Sequence, residues 1–80
     1  MNRISDRLAR CFETVFPGLP AADIPAATQE SVAAWDSVAA ITLFNVIEDE
    51  FGISMDLDLA SELTSFDLIH AYLLKEMAAQ

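Results

Sequence analysis

The stretch from Asp36 to Ile53 constrains the fold more than any other part of the chain, because it is a helix marked at both ends. Asp36 or Ser37 can cap its first turn, since a short oxygen-bearing side chain accepts a bond from an orphan backbone N–H two or three residues on. Gly52 follows the last periodic apolar residue, Phe51, and glycine most readily takes the left-handed conformation that ends a helix. About fifteen residues lie between these signals, roughly 22 Å of helix at 1.5 Å per residue. Ile41, Leu43, Phe44 and Ile47 are expected to face inward from it.

With 80 residues the chain forms one domain, spanning residues 1–80, and its core must use nearly every apolar side chain. An apolar fraction of 54% argues against disorder, which requires low hydrophobicity as well as high charge. Thirteen acidic residues against four basic ones give a formal charge of −9, and the isoelectric point is about 4.1. That balance repels nucleic-acid phosphate and anionic lipid, so partners with basic patches are expected. The single cysteine, Cys11, has no internal disulfide partner, and the first residues lack the apolar run of a signal peptide. No window approaches the ~18 apolar residues of a membrane span. A cytoplasmic, monomeric protein is the expectation.

Ile4, Leu8, Cys11, Phe12 and Val15 form one apolar stripe of a first helix, with Arg3, Asp6, Arg7, Arg10 and Glu13 largely opposite. Pro17-Gly18 ends it. The next twenty or so residues hold Pro17, Pro20 and Pro25, which is long for a connection without local structure. Ile24, Val32 and Trp35 can pin this loop to the core, and Gln29 to Ala34 is the candidate for one helical turn within it. Beyond Gly52, the alternation Asp56-Leu57-Asp58-Leu59 is too short for a strand with a partner. A short helix or turn is preferred, anchored by Leu57, Leu59 and Leu63. Thr64 or Ser65 then caps a last helix, with Asp67 in its first turn, Phe66, Ile69, Leu73 and Met77 on one face, and an end near Ala78. The expected architecture is all-α: three main helices plus one short helix, with a long loop between helices one and two.

The inventory for catalysis is thin. His70, the only histidine, flanks the apolar stripe of the last helix and reads as a partly buried structural residue. Cys11 reads as a small buried hydrophobe rather than a reactive thiol. Asp56 and Asp58 lack the spacing and glycine of a calcium loop; a solvated acidic turn is preferred, with weak divalent binding as the alternative. Glu48-Asp49-Glu50 reads as a solvated face whose carboxylates oppose the helix dipole by a few tenths of a kcal/mol. No metal site and no enzyme activity are expected.

The run Trp35-Asp36-Ser37-Val38, followed by Ile41, Leu43, Phe44, Ile47 and Glu48 and by Glu50-Phe51-Gly52-Ile53, resembles the Asp-Ser-Leu signature and second helix of acyl carrier proteins. The amphipathic first helix, long loop, short third helix and last helix opened by Thr64-Ser65 extend the resemblance over nearly the whole chain. It implies that Ser37 is the attachment point of 4'-phosphopantetheine, transferred from coenzyme A by a separate phosphopantetheinyl transferase with magnesium, with Asp36 beside it. The arm's thiol would hold an acyl or aminoacyl group as a thioester. The physics is compatible, because a helix N-terminus presents free N–H groups and partial positive charge to a phosphodiester.

Departures from the family pattern also carry information. Val38 stands where the family usually has leucine, Ala39 and Thr42 where common bacterial fatty-acid carriers place acids, and Asn45 at a position often apolar. These point to a discrete carrier in a specialised pathway, recognised through Val38, Ile41, Asn45, Glu48 and Asp49. Its expected partners are the transferase and acyl-activating or acyl-transfer enzymes with basic docking patches. Trp35 either shares the pattern of stand-alone carriers or plugs the loop into the bundle. The alternative function is an unmodified acidic helical interaction module that binds a basic partner through Glu48, Asp49 and Glu50. A small enzyme using His70 would need Ser37 and His70 within hydrogen-bond reach.

Overall fold

A 12-residue helix, α1 (Ile4–Val15), opens the chain in a computed structural model that describes residues 3–78. Leu8, Cys11 and Phe12 form its buried face, while Val15 at the end of the stripe is only half-buried. Phe16, the residue after the helix, is buried in its place, because its N–H still donates to the Phe12 carbonyl at 2.7 Å and turns the ring inward. Pro17 then ends helical geometry.

The long connection is structured differently from the sequence expectation. Its helical element is a 3₁₀ helix at Ala21–Ala26, whereas 29–31 and 33–34 form only turns. Pro20 occupies the N-cap with φ −60°, a value its ring imposes, and the Asp23 N–H donates back to the Pro20 carbonyl at 2.9 Å. Pro25 lies inside this helix. So short a piece tolerates a missing donor that would break a longer helix. Ile24, Val32 and Trp35 are buried and pin the loop, as their apolar character implies.

Helix α2 (Ser37–Phe51) has 15 residues and buries Ala40, Leu43, Phe44, Ile47 and Phe51. Gly52 closes it in the left-handed conformation at φ 66° and ψ 35°, donating to the Glu48 carbonyl at 2.8 Å. A second 3₁₀ helix (Leu57–Ser61) follows and packs on α2. Leu63 is buried and Leu59 half-buried, but Leu57 is exposed, so only two of the three expected anchors hold this segment. Helix α3 (Phe66–Ala78) buries Phe66, Ile69 and Leu73 on the predicted face, and Met77 packs at its edge. Ser65, rather than Thr64, supplies the side-chain cap: its hydroxyl accepts from the Leu68 N–H at 3.1 Å.

The protein is an all-α bundle in which α1 packs against both α2 and α3, and the loop 3₁₀ helix packs against α1 and α3. Phe12 is the hub. Its ring meets Trp35 edge-on at 5.4 Å, Phe66 at 5.3 Å and Phe16 at 6.0 Å, which joins the first helix, the loop and the last helix. Each such pair contributes about 0.5–1.5 kcal/mol beyond its area burial. Trp35 is therefore the plug that seats the loop. Main-chain bonds reinforce it: Gln29 N–H donates to the Thr64 carbonyl at 2.8 Å, and Phe66 N–H to the Ala27 carbonyl at 2.9 Å. The loop that leads into Ser37 is thus bonded to the start of α3, which fixes where α2 begins.

Candidate functional site

Asp36 and Ser37 divide the work at the mouth of α2. Asp36 is the N-cap, with extended backbone, and its Oδ1 accepts from the Ala39 N–H at 2.8 Å. Ser37 is the first residue of the helix and is exposed. Because the aspartate satisfies the orphan donor, the serine hydroxyl is released from the capping role that its position would otherwise give it.

Ser37 opens onto a surface groove of about 460 Å³. The loop contributes Gln29, α2 contributes Ala40 and Ile41, and the second 3₁₀ helix contributes Leu57, Asp58, Ala60 and Ser61. Val38 beside it is 73% exposed, Leu57 67% and Ile41 43%. Ile41 therefore leaves the set of inward residues and stays in the surface set. Leu57 joins that surface set although its sequence context suggested an anchor: in a 3₁₀ helix it is residues three apart that share a face, not alternate ones.

The remaining predicted docking residues continue down the helix. Val38, Ile41, Asn45 and Glu48 recur at spacings of three and four, one face of α2, with Asp49 at its edge. Asn45 and Asp49 are exposed. Glu48 is not a solvated acid, however. Its Oε2 accepts from the Met55 N–H at 2.6 Å and so holds the segment after Gly52 against the helix end. Glu50 is engaged as well: Arg7 Nε donates to its carboxylate at 2.8 Å, Arg7 Nη2 to its carbonyl at 2.6 Å, and the guanidinium lies 4.5 Å from the centre of the Phe51 ring. A cation at a helix C-terminus offsets the negative end of the dipole. Two of the three carboxylates in Glu48-Asp49-Glu50 thus serve local structure, although Glu50 is itself exposed.

Comparison with protein-family models, with curated proteins and with solved structures finds no match to this chain. What the chain does must then be read from its own residues. His70 is half-buried against the Phe66 ring, 6.0 Å centre to centre, and does not line the Ser37 groove. Cys11 is buried, and burial, with the Glu50 carboxylate second and Arg7 acting the other way, pushes its thiol up to about 11. Such a thiol stays protonated and unreactive at neutral pH.

Asp56 and Asp58 face different hollows. Asp58 borders the Ser37 groove, and Asp56 a hollow with Ser54, Met55, Leu59 and Tyr72. Among the described residues no three acid, histidine or cysteine side chains converge as cation ligands, no polar side chain is buried in the core, and no helix is long and apolar enough to cross a membrane. The arrangement offers an accessible hydroxyl at a helix mouth and a groove edged by Ile41, Leu57 and Asp58, with His70 away from it.

Proposed function

We propose that the protein is a discrete acyl carrier protein whose Ser37 bears 4'-phosphopantetheine from coenzyme A. The observation that carries this reading is the division of labour at the start of α2. Asp36 caps the helix, leaving Ser37 exposed at its mouth beside an open groove.

The group fits the residues present. Unpaired N–H groups in the first turn and the positive end of a 15-residue helix suit a phosphodiester on the Ser37 oxygen. The groove walls of Ile41 and Leu57 give an extended chain apolar surface to lie against. When bound, the arm supplies a thiol that carries an acyl or aminoacyl group as a thioester. The carrier's own residues hold and present the serine; activating its hydroxyl falls to the transferase.

Incubation with coenzyme A, magnesium and a broad-range phosphopantetheinyl transferase should add one arm's mass to the intact protein, and Ser37→Ala should stay unlabelled. An unmodified wild type under conditions that label a control carrier, or a labelled Ser37→Ala variant, overturns the reading.

A further inference from the structure

We propose that the second 3₁₀ helix (Leu57–Ser61) is a hinged wall of the groove beside Ser37, latched by the Glu48 carboxylate on the Met55 N–H. The wall works in this way whatever Ser37 bears. The sides of the groove are held unequally. The loop side is tied to the start of α3 by two main-chain bonds, Gln29 to Thr64 and Phe66 to Ala27, and is seated by buried Ile24, Val32 and Trp35. The α2 side is a 15-residue helix with Ala40, Leu43, Phe44, Ile47 and Phe51 buried.

The third side lacks such support. No residue of Leu57–Ser61 is buried, and among the described elements it packs on α2 alone. Half-buried Leu59 and Ala60 supply its contact with the core. Its hydrogen bonds are internal: the Leu59 N–H donates to the Asp56 carbonyl, the Glu62 and Leu63 N–H groups to the Leu59 carbonyl, and the Ser61 hydroxyl to the Asp58 carbonyl. Between Gly52 and Leu63, the bonds that reach the rest of the protein both go to Glu48. The Ile53 N–H donates to its carbonyl at 3.3 Å as part of the helix end, and the Met55 N–H to its Oε2 at 2.6 Å. The second is charge-assisted, and such bonds are roughly twice as strong as neutral ones.

Open space lies on both sides of this segment. Leu57, Asp58, Ala60 and Ser61 border the Ser37 groove, whereas Asp56 and Leu59 border a second hollow of about 520 Å³ with Ser54, Met55 and Tyr72. A displacement therefore meets a hollow rather than packed side chains. Pivots stand at both ends: left-handed Gly52 on one side, and on the other buried Leu63, followed by Thr64, whose carbonyl is held by the Gln29 N–H. Segments with few buried contacts open locally at lower free energy than the core. Movement toward the second hollow widens the groove and uncovers Ala40, a lining residue that is only 1% exposed. Glu48 sets how often that happens.

Thiol labelling below the unfolding transition reads the opening. In a Cys11→Ala background, Ala40→Cys places the only thiol beneath the wall. A local opening exposes little surface, so its labelling rate should change less than about twofold between 0 and about 1 M urea, where global unfolding would give roughly fivefold. Glu48→Ala should speed labelling about tenfold, and Glu48→Gln, which keeps a neutral acceptor, about threefold. Phe16→Leu weakens the core around Phe12 and Trp35 and leaves the Met55 bond intact, so it should leave the rate unchanged. If melts show that Ala40→Cys disturbs the fold, Ala60→Cys on the wall itself repeats the measurement.

A rate that climbs fivefold over that urea range overturns the proposal, because the thiol is then reached only by global unfolding. So does a rate that Glu48→Ala leaves unchanged, or one that Phe16→Leu raises as much as Glu48→Ala does. The carrier reading stands or falls separately, on whether the transferase labels Ser37.

Discussion

Replacing Asp36 tests whether the turn that presents Ser37 is held by a side-chain cap. The carboxylate accepts one bond, from the Ala39 N–H at 2.8 Å, and the side chain is exposed, so no burial contribution is lost with it. Asp36→Ala removes that bond and the negative charge at the positive end of the helix. N-cap losses of this kind run about 0.5–2 kcal/mol, centred near 1, of which the charge accounts for about 0.3–1. For 80 residues the unfolding entropy is about 170 cal/mol/K, from roughly 2.1 per residue, so 1 kcal/mol lowers Tm by about 6 °C. Asp36→Asn keeps an acceptor oxygen and should lose only the charge-dependent part, about 2–6 °C in low salt and less in ~1 M salt. Circular dichroism melts of the three proteins at pH 7 measure both differences. Asp36→Ala within ~1 °C of wild type, or Asp36→Asn falling as far as Asp36→Ala in ~1 M salt, would refute the capping geometry.

Two further stability predictions follow from the ends and the core of the same fold. Gly52→Ala places a β-carbon at φ 66° with no atom within 4 Å, so its cost is conformational alone, about 1–2 kcal/mol; a melt at or above the wild-type Tm would contradict this. Cys11 moves from 9.0 in the unfolded chain to about 11 in the fold. The folded state therefore keeps a proton that the unfolded state releases. The resulting stability is complete below pH ~9 and is lost as pH rises through ~11, up to about 3 kcal/mol at 1.36 per unit. The difference between wild type and Cys11→Ala in denaturant titrations across that window isolates it. A flat difference, or rapid alkylation of native protein at pH 8, would show that the thiol is not held protonated by burial.

The helix boundaries were legible because each end has a local chemical cause: Pro17 after α1, Asp36 and Gly52 around α2, Ser65 before α3. The inward faces of α1 and α3 were legible for the same kind of reason, since their apolar residues recur at helical spacing. Helix α2 was harder. It is apolar nearly all round through its first three turns, so periodicity alone does not separate buried Leu43 from exposed Ile41. The 3₁₀ helix at Ala21–Ala26 was hidden by Pro20 and Pro25, which signal a break in an α-helix but are compatible with a single short 3₁₀ piece. Arg7 and Glu50 are 43 residues apart, and no local pattern announces an ion pair of that kind. Of the site, only the capped helix start was readable from spacing. Leu57 and the groove required the second 3₁₀ helix to be placed beside α2, which is a tertiary fact.

Folding does not account for the composition of the outer face of α2. The core needs Ala40, Leu43, Phe44, Ile47 and Phe51, and all five are buried. Val38, Ile41, Thr42 and Asn45 occupy exposed positions where the fold makes no demand. Oppositely charged pairs there would add about 0.2–0.5 kcal/mol each to the helix and would suit water better. Single exposed apolar residues need no explanation, but Ile41 and Leu57 come from two elements and border one groove with Ser37, and exposed Val38 is the next residue in the chain. Stability gains nothing from that arrangement, whereas Glu48 and Glu50, two turns further on, are tied down by bonds that do stabilise the fold. The two ends of α2 therefore answer to different requirements. The C-terminal end is held by Arg7 and by the Met55 N–H, whereas the N-terminal end, from Ser37 to Ile47, carries no charged side chain and leaves Val38 and Ile41 exposed beside its Asp36 cap.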